Sequence, residues 1–188
     1  MGDRPIIFSA PMVRAMLDGR KTQTRRVLKR TDLMEWNGRE MKPIPVGYAP
    51  GDRLWVREAW TARMTHGWTI ADARSRMYQE EILYRADGHE SIDGWWPSIH
   101  MPREFSRLTL IVTDVRVQRL EEISRGDAME EGCPHANMAE GPDPRSWFSS
   151  LWNSLHGPEA WKANPWVAAL TFTVHRCNID RLSGGRHV

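Results

Sequence analysis

The chain has 188 residues, 40% of them hydrophobic and 27% charged, enough for one domain with a real core and too few for two comfortable ones. No apolar run approaches the roughly 20 residues of a membrane helix, and the start MGDRPIIFS lacks the apolar core and cleavage pattern of a signal peptide. With only Cys133 and Cys177 as cysteines, a reducing cytoplasm is the expected setting, and a net charge of +2 does not mark a nucleic-acid binder.

In chain order, Pro5 to Phe8 predicts a short strand. Ser9 is placed to cap a helix from Pro11 to Asp18, with Met12, Val13, Met16 and Leu17 on one face and Gly19 as the stop. The basic segment GRKTQTRR at 19–26 reads as a loop or the start of a strand, and 29–50 as loop. Asp52 to Trp60 alternates apolar and polar side chains and predicts a strand, with Leu54, Val56 and Glu58 sharing a face. Residues 61–106 contain a short strand, Ile82 to Ala86. Leu108 to Leu120 is the clearest strand pattern in the chain: Val115, Val117 and Arg119 alternate with Asp114, Arg116 and Gln118.

Ser124 with Asp127 three residues on predicts a capping box and a short helix that Gly132 ends. A second helix starts at Asp143-Pro144, with Phe148, Leu151, Trp152 and Leu155 on one face, and stops near Gly157. Trp166 to Val174 is the closing strand. Many strands with short helices between them predict a small barrel with helical decoration, and residues 178–188 are expected to form a flexible tail.

Charge is unevenly distributed. Residues 1–30 carry eight Lys/Arg against Asp3 and Asp18, whereas 121–145 carry seven Asp/Glu against Arg125 and Arg145. Opposite charges attract across a low-dielectric gap, so the two segments are expected to face each other.

Gly19, Arg20, Lys21, Thr22, Thr24 and Arg26 form the pattern G-R-K-T-x-T-x-R. This resembles the ASCH family, a branch of the PUA-like β-barrels, whose signature is G-x-K-x-x-E-x-R. Thr24 stands where many members carry Glu, and there the chain is similar to the bacterial N(4)-acetylcytidine amidohydrolases. The resemblance implies one ASCH-type domain over 1–177, with insertions at about 61–106 and 134–163 relative to the smallest members. It implies an amidohydrolase that removes acyl groups from the exocyclic N(4) of cytidine-type nucleosides without a cofactor. The implied catalytic residues are Lys21, Thr24 and Glu131, with Glu130 as the alternative to Glu131. Arg26, Phe8, Ser9, Trp60 and Trp166 are the expected substrate-binding residues. The expected partner is a small modified nucleoside, and no membrane.

The chemistry has a physical rationale. A hydroxyl is a poor nucleophile until a base takes its proton, and a lysine serves as that base once burial or neighbouring cations lower its pKa. Against this stands a plainer account, in which GRKTQTRR is a solvated basic loop and Thr24 makes a turn hydrogen bond. An RNA-binding or RNA-cleaving ASCH module is the other functional reading. Cys133-Pro-His135 and His175-Arg-Cys177 could be imagined as zinc ligands, but their one-residue spacing is uncommon, and no metal is expected. Most of the ten tryptophans are expected in the core.

Overall fold

The computed structural model describes residues 2–28, 34–36, 41–43, 46–62, 69–75, 82–89, 92, 94–135 and 141–182. Its strands are β1 (Asp3–Ile7), β2 (Gln23–Val27), β3 (Met34–Trp36), β4 (Met41–Pro43), β5 (Arg53–Arg57), β6 (Trp60–Ala62), β7 (Ile82–Tyr84), β8 (Thr109–Arg119) and β9 (Trp166–His175). The helices are α1 (Ala10–Leu17), α2 (Ile70–Ala73), α3 (Arg125–Glu130) and α4 (Pro144–His156). Hydrogen bonds order five strands as β1-β5-β8-β9-β2, and two further pairs are β3-β4 and β6-β7. This is the expected small α+β, mainly β architecture with short helices. Among the described residues no pairing of β1 with β2 closes the five strands into a ring. No described helix is long and apolar enough to cross a membrane. Contacts divide the chain into two compact units.

The first unit comprises Met1–Asp18, Arg53–Ile111 and Val174–Val188. β1 runs parallel to β5, Asp3 opposite Arg53 through Ile7 opposite Arg57, and β5 pairs antiparallel with the start of β8. α1 buries Val13, Ala15 and Met16, has Pro11 in its first turn, and stops where Gly19 takes a positive φ of 77°. Ser9 occupies the N-cap position, but its hydroxyl makes no cap bond.

The strand expected over Asp52 to Trp60 is two strands in two sheets. β5 ends at Arg57, and Trp60 opens β6, which pairs with β7. The break lies at Glu58, whose buried carboxylate receives two bonds from Arg107, Nε to Oε1 at 2.9 Å and Nη2 to Oε2 at 3.0 Å. Arg107 also donates to Asp87 at 2.8 Å and lies 4.0 Å over the Tyr84 ring. Burial pushes the Glu58 carboxyl up, and the bonds from Arg107 oppose that shift. Arg107→Leu strands this carboxylate in the core. We expect a loss of about 3–5 kcal/mol, read as a lower urea midpoint at an unchanged m-value.

Trp60, Ala62, Ala73, Met101 and Phe105 form the apolar cluster of this region. The segment expected as a flexible tail is packed as far as its described part goes. Asn178 donates to the Arg103 and Ser106 carbonyls, Ile179 is fully buried, and Asp180 pairs with Arg103 at 2.6 Å. A buried isoleucine and a satisfied amide anchor backbone that composition alone marks as loose. Residues 183–188 lie outside the described residues.

The second unit comprises Gly19–Asp52 and Val112–Thr173. β2 pairs antiparallel with β9, Gln23 opposite Thr171 through Val27 opposite Val167. Within the expected 29–50 loop, β3 and β4 form a short antiparallel pair. α3 has the expected capping box, Ser124 accepting from the Asp127 backbone and Asp127 accepting from that of Ser124. α4 buries Phe148 and Trp152 against Leu120, Ile123, Ala128 and Val167. Leu155, expected on the same face, is 49% exposed. It sits a single residue from the helix end, where the cluster has run out.

Candidate functional site

Lys21 lies two residues before β2 and forms an isolated antiparallel bridge with Glu131, the residue that caps the C-terminus of α3. Two backbone bonds fasten the segment from either side. Thr22 donates to the Glu130 carbonyl at 2.8 Å, and Phe172 donates to the Thr22 carbonyl at 2.9 Å. Main-chain pairing therefore fixes the entry to β2 between α3 and β9.

The Lys21 side chain is completely buried. Its Nζ donates to the Gln23 carbonyl at 2.8 Å, the Glu131 carbonyl at 2.9 Å and Glu131 Oε2 at 2.6 Å. An ammonium has three protons, and these acceptors use all three. Burial lowers the Lys21 pKa, Glu131 raises it, and the nearby Arg26 and Arg25 lower it further, leaving it below the ordinary lysine value.

Glu131 binds a second buried cation. Arg25 Nη1 donates to Glu131 Oε1 at 2.9 Å and to Gln23 Oε1 at 2.7 Å, and Nη2 lies 3.2 Å from Asp127 Oδ2. The Arg25 guanidinium also lies 5.7 Å from the Phe148 ring centroid. Gln23 Nε2 donates to Asp127 at 3.1 Å, Glu130 at 2.9 Å and Thr171 at 3.3 Å. The basic segment and the acidic helix thus meet, as their charges led us to expect. They meet in the interior rather than across a solvated surface.

Asp127 is the outer anchor of this network. Burial on its own would raise its pKa. The hydrogen bonds from Arg116 and Gln23, with the charges of Arg116 and Arg25, hold it well below the usual carboxylate range. A depressed folded-state pKa contributes stability above the unfolded carboxylate value of about 3.9, and that stability is lost as pH falls. Asp127→Asn should flatten the acid side of the stability–pH curve below about pH 4, measured by urea unfolding at successive pH values.

The remaining expected site residues fall into place as follows. Thr24 is buried in β2 opposite Leu170. Strand alternation puts Thr24 and Arg26 on one side of β2, with Gln23 and Arg25 on the other. Arg26 is half-buried; burial lowers its pKa, while Tyr48 and Glu131 raise it. Trp166 is half-buried at the start of β9, with Arg119 4.5 Å from its ring centroid. Of the two candidate carboxylates, Glu131 is the one against Lys21; Glu130 is exposed and holds Gln23.

Phe8, Ser9 and Trp60 belong to the first unit. Phe8 is buried and Ser9 exposed, and both line a cavity there. Trp60 is fully buried in the apolar cluster, its ring centroid 4.4 Å from that of Trp96. Among the described residues no group of three or more His, Cys, Asp or Glu could hold a metal ion.

Residue-type reasoning missed Gln23, Asp127, Tyr48 and His156. His156 packs 4.2 Å from the Trp152 ring, and burial and Arg26 lower its pKa. A strand reading of 19–26 would have grouped 21, 23 and 25 by their period of two; no comparable signal points to Tyr48 or His156. A depression of about 310 Å³, lined in part by Arg20, Thr22, Met129, Glu130 and Cys133, adjoins the bridged segments.

The site is a buried lysine–glutamate pair on the sheet of an α+β protein. Comparison with known proteins adds two similar solved structures. One is an ASCH domain from Lactobacillus crispatus JV V101, with a TM-score of 0.40 and 14% identity over 92% of this chain and 79% of that one. The other is a protein of Enterococcus faecalis V583 described by the family model DUF984, with a TM-score of 0.41 and 12% identity over 94% of this chain and 82% of that one. No family model matches the sequence. No curated protein matches it either.

Proposed function

We propose that the chain is an ASCH-type amidohydrolase that removes acyl groups from the exocyclic N(4) of cytidine-type nucleosides. The observation that carries this reading is Lys21, fully buried and 2.6 Å from Glu131, inside the G-R-K-T-x-T-x-R segment. A buried ion pair is a poor way to gain stability, because desolvation offsets most of the attraction. A lysine with a lowered pKa and an adjoining proton acceptor is suited to moving protons.

Lys21 starts as an ammonium and Glu131 as a carboxylate. A proton passes along the 2.6 Å bond to Glu131, leaving a neutral amine at Lys21. The amine takes the Thr24 hydroxyl proton as Oγ1 attacks the acyl carbon. The carbon–nitrogen bond then breaks, and the Glu131 carboxylic acid protonates N(4), which departs as the cytidine amino group. The acyl group remains as an ester on Thr24, with Lys21 charged and Glu131 ionised again. The same proton transfers activate a water that hydrolyses the ester and restores the Thr24 hydroxyl. Arg25 and Gln23 act as positioning residues that hold Glu131 and its helix.

Purified protein incubated with N(4)-acetylcytidine should show the ultraviolet shift to cytidine, without added metal and unchanged by chelator. No shift, or activity restored only by zinc, overturns the reading. The alternative, an RNA-binding or RNA-cleaving module, needs cations facing phosphate. Lys21 and Arg25 instead spend their charge on buried carboxylates, and Arg116 pairs with Asp127 at 2.7 Å.

A further inference from the structure

The first unit contains a cavity of about 720 Å³, within the roughly 300–1,000 Å³ of small-molecule sites. Its charged lining is of one sign, Arg14 from α1 and Arg85 from the turn after β7, and His89 also lines it. No described Asp or Glu lines it. Asp87, two residues from Arg85, is engaged by Arg107 at 2.8 Å. Arg14 donates to the Ala86 carbonyl at 3.3 Å, which ties α1 to the turn that carries Arg85. Arg85 has no carboxylate partner among the described residues.

The rest of the wall is chosen from a different chemistry. Trp95, half-buried, offers an indole, and Ser9 and Ser98 offer hydroxyls; the Ser9 hydroxyl does not cap α1. Two guanidinium forks match the oxygens of a phosphate, and an indole matches the face of a planar ring. We propose that this cavity binds a phosphate-bearing nucleotide, Arg14 and Arg85 holding the phosphate and Trp95 the base. The proposal does not rest on the Lys21–Glu131 chemistry and is read out by binding alone.

Calorimetric titration of the full chain tests this with cytidine 5′-monophosphate, cytidine, inorganic phosphate and a cytidine tetranucleotide without terminal phosphates. The monophosphate should bind at least about tenfold more tightly than cytidine or phosphate, and more weakly as salt rises. Arg85→Gln and Arg14→Gln, both at exposed positions, should each weaken it about tenfold, and Trp95→Leu by a similar factor. A tetranucleotide that binds more tightly than the monophosphate, with the same dependence on Arg85, assigns the phosphate to a nucleic-acid backbone. A monophosphate more tightly bound than the tetranucleotide assigns it to a free nucleotide. Equal affinity for cytidine and its monophosphate overturns the proposal. So does unchanged monophosphate affinity in the Arg14→Gln/Arg85→Gln double variant.

Discussion

Glu131→Gln should lose both the fold's stability and the hydrolysis of N(4)-acetylcytidine, whereas Lys21→Met should lose the hydrolysis alone. Glu131 is shared by two cations whose side chains are fully buried, Lys21 at 2.6 Å and Arg25 at 2.9 Å. An amide in its place offers Lys21 a neutral oxygen and removes the counter-charge. Arg25 retains Asp127. Breaking a buried pair from one side costs about 3–5 kcal/mol, and the urea midpoint should fall accordingly. Lys21→Met removes the cation and keeps an apolar chain of similar length, and Glu131 keeps Arg25 as its counter-ion. Its stability should change by less than half as much as that of Glu131→Gln, while turnover disappears. Lys21→Arg should also be inactive, since a guanidinium does not give up its proton. An active Lys21→Met or Lys21→Arg enzyme would remove Lys21 from the chemistry and leave the pair with a structural role.

The second large effect is expected at Thr24. Thr24→Val keeps the β-branched shape that suits β2 and removes the hydroxyl. Turnover should drop to background, with the unfolding free energy within about 1.5 kcal/mol of the wild type, the scale of one hydroxyl's hydrogen bond. Thr24→Ser should keep a measurable part of the rate. It retains the oxygen but loses the methyl group that restricts its rotamer. Mass spectrometry of a quenched reaction should find the acyl mass on the peptide that carries Thr24. Near-normal turnover in Thr24→Val would exclude Thr24 as nucleophile and leave a water activated at Lys21–Glu131 as the attacking group.

The two substitutions probe residues whose visibility in the sequence differed. Patterns that depend on neighbours along the chain were legible. The 11-residue strand β8, the closing strand β9, the Ser124/Asp127 capping box and the Pro-initiated α4 all follow from local alternation, caps and breakers. So did the attraction between residues 1–30 and 121–145, because net charge per segment is a sum over composition. What could not be read was which partners those charges choose. Arg25 looks like one more cation of a basic loop, yet it is buried between Glu131 and Asp127. Lys21 and Arg25 meet at Glu131, and it takes hydrogen bonding to β9 to make residues 23–27 a strand.

Glu58 and Ile179 show the same limit. Glu58 lies in an alternating run, and its buried carboxylate is met by Arg107, 49 residues later. Ile179 lies in a polar, glycine-rich terminus whose composition predicts fraying, yet it is fully buried. The sequence by itself determined the capped helices and the long alternating strands, the segments that attract and the residue types able to move a proton. The tertiary structure decided which charges lose their water, because desolvation depends on everything packed around a group and not on its neighbours in the chain.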